Sequence, residues 1–201
     1  MKKTHPVPGI QKRRVLYPSR MKTRLERFDQ KVEKTDEARL DQAAKSIREV
    51  FPTDRWAELS PNQRHWHLDR VGRELNRVYQ CGEPMTFERP MQETKETIHL
   101  GSYVDKDYRI DLNEKLLETP DPRRALETFA HEWRHNIQTE QIQCFRKGFG
   151  GLRVNESQVE AWSKNREYIR PEDNFEAYRE QAIETDARDF ASRFVNKVIG
   201  R

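Results

Sequence analysis

The sequence predicts an α+β domain, mostly helical, with a small, mainly antiparallel sheet and one long helix that carries a histidine pair. Three observations lead there. Apolar residues recur at helical spacing on both sides of a short middle segment. The period falls to two only between residues 84 and 113. Capping residues stand where the helical stretches begin.

In chain order, "TDEARLDQAAKSIREVF" sets Leu40, Ala43, Ala44, Ile47, Val50 and Phe51 on one helical face, and Pro52 ends it. The next helix opens at "SPNQ", where Ser60 caps, Pro61 suits the first turn and Gln63 completes a capping box. Leu68, Val71, Leu75 and Val78 form its inward stripe, and Gly82 is expected to stop it. "PMTFE", "ETIHLGSYV" and "YRIDLN" read as strands, the last alternating Tyr108, Ile110 and Leu112 with Arg109 and Asp111. Asp121 and Pro122 then start the long helix through "RRALETFAHEWRHNIQTEQI". "RKGFGGLRVN" is a connector: no strand precedes its glycines and no Lys-Ser/Thr follows, so it is no phosphate cradle. "SQVEAWSKNREYI" and "PEDNFEAYREQAIETDARDFASRFVNKVI" read as two closing helices, the second turning Ile183, Ala187, Phe190, Phe194 and Val198 inward.

A chain of 201 residues fits one compact domain, and 36% charged against 34% hydrophobic residues leaves a modest core. Residues 1–27 hold nine Lys or Arg against the single acid Glu26, a net +8, so the rest carries −4 to reach the overall +4. The expected organisation is a basic arm or linker over 1–34 and a folded domain over 35–201. No apolar run is long enough to span a bilayer, and no apolar core follows the lysine-rich start, so a cleaved signal peptide is not expected. Cys81 and Cys144 lie far apart with no CxxC pair, which predicts two free thiols.

The chemistry is concentrated in "HEWRH". Helical residues four apart differ by about 40° around the axis, so His131 and His135 project from one face toward a single Zn²⁺ ion. Glu132 stands beside that ion, placed to accept a proton from a bound water. Leu126, Phe129, Ala130, Trp133 and Ile137 lie on the adjacent face and bury the helix. A catalytic zinc needs a third protein ligand, and no further His follows closely. Glu184 is the favoured carboxylate, since Ala187 and Phe190 would dock its helix on the motif helix; Glu180 and Asp186 compete, and Asp189 has no better claim. His65, His67 and His99 are read as structural or exposed.

Four stretches, "RWAELSPNQRHWHLDRVGRELNRVY", "IHLGSYVDKDYRIDLNEKLL", "LETFAHEWRHNIQ" with Arg134 and Gln138, and "YREQAIETDARDFA", together resemble the zincin-like metallopeptidase domains of bacterial polymorphic toxins and secretion-system effectors. The likeness spans residues 55–195. It implies a zincin-like fold, with a sheet whose last strand borders the motif helix and a C-terminal helix that supplies a glutamate ligand. Glu184 matches the E-x-x-A pattern of glutamate-ligand zincins. The long interval from His135 to Glu184 and the basic arm depart from the pattern.

The implied activity is a zinc metalloendopeptidase. His131, His135 and Glu184 would hold Zn²⁺, which lowers the pKa of a bound water toward about 7; Glu132 would take the proton, and Tyr178 is either the donor to the developing oxyanion or a core or rim aromatic whose hydroxyl simply finds a partner. The partners implied are a protein or peptide substrate and an immunity protein. The location implied is the bacterial cytoplasm before delivery by a specialised secretion system. An alternative is a regulatory or DNA-associated protein of the same fold that binds nucleic acid through its arm. A third expectation is that the chain is the catalytic fragment of a larger toxin.

Overall fold

The computed structural model describes residues 36–91, 100–148, 152–164 and 168–200. The arm expected over 1–34, His99 and connector residues 149–151 lie outside them. Helix α1 (36–48) buries Leu40, Ala43, Ala44 and Ile47 as its spacing predicts. Val50, beyond the last helical turn, departs from the stripe and is 45% exposed. A 3-10 turn, Thr53–Glu58, sinks Trp56 into the core, where its indole Nε1–H donates to the Thr119 carbonyl at 3.2 Å.

Helix α2 (Pro61–Tyr79) opens on the expected capping box: Gln63 N donates to Ser60 Oγ at 3.4 Å, and Ser60 N donates to Gln63 Oε1 at 2.9 Å. Leu68, Val71, Leu75 and Val78 are buried. The helix ends on Gln80, which adopts the left-handed conformation (φ 52°), rather than through Gly82. Gly82 serves close approach instead, since a Cβ there would lie 2.1 Å from the Tyr108 hydroxyl.

Strands β1 (Met85–Arg89), β2 (Gly101–Val104) and β3 (Arg109–Asn113) form a sheet in the order β1-β3-β2. Pairing of β2 with β3 is antiparallel across the tight 3-10 turn Asp105–Asp107, but β1 pairs with β3 in parallel. The sheet is therefore mixed, not mainly antiparallel. The cause is placement: three successive strands alternate in direction, and seating the first beside the third makes that pair parallel. Central β3 is covered on both faces, so Asp111 is buried alongside Ile110 and Leu112; Arg109 and Arg89 offset its charge at 2.8 and 3.3 Å.

Short α3 (Glu114–Glu118) leads to α4 (Pro122–Arg146), capped by the Asp121 side chain on Arg123 N at 2.9 Å. Then come α5 (Glu156–Ser163), α6 (Phe175–Glu180) and α7 (Ala182–Ile199). The last predicted helix is thus two, broken at Gln181, whose backbone is extended (ψ 136°). At the break, the Gln181 side chain exchanges two 3.0 Å hydrogen bonds with the Ile169 backbone.

Contacts of Arg123 with Asn196 and of Gln138 with Ile183 show that α4 and α7 run antiparallel. Their seam is the centre of the core. Trp133 stacks on Phe190 (centroids 5.7 Å apart), Tyr79 meets both edge-on, and Phe190 stacks on Phe194. The fully buried Arg134 lies over Phe190 and Trp162 and bonds Asp186 through Nε at 2.9 Å. Truncating Phe190→Ala removes the ring that Trp133, Tyr79, Phe194 and Arg134 all contact. Urea unfolding should show a loss of about 3–5 kcal/mol, against less than 1 kcal/mol were the seam loosely packed.

Candidate metal centre

His131 and His135, one turn apart on α4, set their ring centroids 4.8 Å apart. Glu184 lies in the first turn of α7, where the positive end of the helix favours a carboxylate. It is only 1% exposed. His131 Nε2 stands 3.2 Å from His135 Nε2 and 3.3 Å from Glu184 Oε2, and His135 Nε2 is 3.6 Å from Glu184 Oε1. Two donors at about 2.0–2.1 Å from one tetrahedral ion are separated by about 3.3 Å, so this triangle has the size of one face of such a site. Two imidazoles and a carboxylate suit a divalent first-row metal. Among the described residues, these three form the one group of His, Cys, Asp and Glu side chains with such convergence.

Outer contacts aim the ligands. Gln138 Oε1 lies 2.7 Å from His135 Nδ1; with the proton on Nδ1, Nε2 keeps its lone pair for an ion. The Gln138 amide is itself held, its Nε2 donating to Ile183 O and Asp186 Oδ2, both at 2.8 Å. Asp186 also accepts from Arg134 and Gln158. This carboxylate, a competitor for the ligand position on sequence, anchors the support of His135 instead. Glu180 is exposed on α6, and Asp189 is exposed and pairs with Arg193 at 2.9 Å. His65 and His67 stand on α2 outside the group, and the two cysteines are free thiols.

Tyrosine hydroxyls complete the carboxylate: Tyr178 donates to Glu184 Oε2 at 2.8 Å and Tyr168 to Oε1 at 2.9 Å. Tyr168 carries no periodic or motif signal that would single it out in the sequence. Burial works to raise the Glu184 pKa, but the hydrogen bond with His131, the charge of His135 and the Tyr178 hydroxyl outweigh it and hold the carboxyl down at about 2. Burial opposes the charge on His131, yet the Glu184 hydrogen bond and the nearby Glu132 raise its pKa above the ordinary 6.5, despite Arg188. Burial, then the negative charge of Glu184, pushes both tyrosines well above their usual range, so they remain donors.

Glu132 is buried and faces a cleft of about 450 Å³ lined by β2, α4, α6 and α7. Gly101 makes its position possible: a Cβ there would fall 2.9 Å from Glu132 Cγ and 3.0 Å from Thr128 Cγ2. His131 and Tyr178 open onto the same cleft. No protein-family model matches the chain, and comparison with curated proteins and with solved structures yields no significant match.

Removing the amide in Gln138→Ala should weaken zinc binding about 10–100-fold in a chelator competition, and unchanged affinity would show that the amide does not set the His135 ring. The pH dependence follows from His131. Its raised pKa means that the protonated His131–Glu184 pair is favoured below pH 6.5 and lost as pH climbs through the shifted value. Zinc affinity should therefore rise across and somewhat above pH 6.5 and then level off; a profile flat between pH 5.5 and 8 would contradict it.

Proposed function

We propose that this chain is a zinc-dependent endopeptidase of the zincin type. The observation that carries the reading is the convergence of His131, His135 and Glu184 beside Glu132 at the wall of an open cleft. A zinc ion held by the three side chains would activate a water and polarise a substrate carbonyl.

The chain's own groups supply the rest. Glu132, one residue after the first ligand and facing the cleft, is the proton acceptor and then the donor to the leaving amine. Tyr178 stays protonated and lines the cleft, so its hydroxyl is the donor we assign to the carbonyl oxygen as charge develops there. That hydroxyl is engaged by Glu184, and the role requires it to turn toward substrate. Among the described residues β2 pairs only with β3, leaving its outer edge unpaired where Leu100 and Gly101 meet the cleft. An unpaired strand edge suits an extended polypeptide, whose backbone can add to the ladder. The toxin or effector setting, with an immunity protein as partner, is supported by the sequence resemblance alone.

The decisive variant is Glu132→Gln, which keeps the shape of the side chain and removes its basicity. Zinc content measured by atomic absorption should stay at the wild-type level, while peptide hydrolysis followed by mass spectrometry falls about 10²–10⁴-fold. Hydrolysis at the wild-type rate would overturn the assignment.

A further inference from the structure

The cleft carries cationic groups that hydrolysis does not call on. Leu100, Pro171, Phe175 and Ala191 give it apolar walls, while Arg124 and Arg188 reach it from different helices. Arg124 precedes His131 by two helical turns on α4, a rise of about 10 Å, and Arg188 follows Glu184 by one turn on α7, about 6 Å. Because the two helices run antiparallel, both offsets lead the same way from the ligand group. The arginines therefore line one arm of the cleft.

Several arginines elsewhere in the chain are neutralised by its own acids, and these two are not. Arg73, Arg77, Arg109, Arg153 and Arg193 each hold a carboxylate of the chain. Arg188 donates to the Arg179 carbonyl and to Thr185 Oγ1 at 3.2 Å, and has no carboxylate partner among the described residues. Arg124 has neither ion pair nor hydrogen bond among them. Glu127, one turn along α4, lines the same cleft without closing a salt bridge to either. A guanidinium left open beside apolar walls is a ready fork for a carboxylate, which it can grip through two parallel N–H donors.

We infer that Arg124 and Arg188 form a carboxylate-binding subsite, so that the preferred substrate is a polypeptide with a carboxylate close to the bond that is cut. An extended chain advances about 3.3 Å per residue, which puts that group within about three residues of the scissile bond. The carboxylate is either an Asp or Glu side chain or a free chain terminus. This inference rests on the peptidase reading and gives it a substrate class.

The test uses binding to the full, zinc-loaded chain carrying Glu132→Gln, followed by fluorescence anisotropy of labelled peptides. Three matched sets are compared: amidated peptides with Glu scanned through the sequence, the same peptides with Gln, and Gln peptides with a free C-terminus. Glu at the favoured position, or the free terminus, should bind about tenfold more tightly than the amidated Gln peptide. Which set gains the advantage identifies the source of the carboxylate. Adding Arg124→Gln and Arg188→Gln together should erase that ratio, and Arg188→Glu should shift preference toward Lys peptides. Equal affinity of acid and amide peptides, or no measurable binding of either, overturns the subsite. The peptidase reading stands or falls separately, on hydrolysis by the unmutated chain, so the two failures are distinguishable.

Discussion

An ionised carboxylate almost wholly withdrawn from water is the constraint around which this structure is organised. Isolated burial of the Glu184 charge would cost several kcal/mol, and a folded chain has to offset that with donors and cations fixed in place. Here the two imidazoles of α4, the hydroxyls of Tyr168 and Tyr178 and the N-terminal turn of α7 all act on one side chain. None is useful unless α4 and α7 meet at fixed register. The aromatic stack of Trp133, Phe190 and Phe194 and the buried Arg134–Asp186 pair hold that register.

The same constraint explains the break at Gln181. A continuous helix from Phe175 to Ile199 would leave Glu184 in a helical interior, with no helix terminus near its charge. Interrupting the chain restarts α7 at Ala182 and turns α6 so that Tyr178 reaches back to the carboxylate. The Gln181 side chain then ties in the strand of chain that carries Tyr168 by bonding the Ile169 backbone on both its donor and acceptor sides. One residue thus positions a helix start and both tyrosines.

What the sequence made legible was local. The Ser60 capping box, the stripes of α1, α2 and α4, and the i, i+4 histidines each depend on residues within a turn or two of one another. Convergence of Glu184 on the histidines was also readable, because the small Ala187 and the apolar Phe190 marked the docking face of α7. The parallel β1–β3 pairing was not, since alternation reports which way side chains point and is silent on which strand lies alongside. Asp186 looked like a competing ligand because its partners Arg134, Gln138 and Gln158 come from distant parts of the chain. Tyr168 and the open arginines were invisible for the same reason: their meaning lies in what does, or does not, stand opposite.

Gly101 shows how fine the tolerances are at this wall. A single methyl group at that position would press on both Thr128 and Glu132, so the spacing between the sheet and the long helix is gauged by an atom the residue lacks. Arg124, at the other end of the cleft, is exposed and under no such steric limit. The floor beneath Glu132 has no such latitude. Any larger side chain at position 101 would therefore be felt first at Glu132, through the strand that faces it.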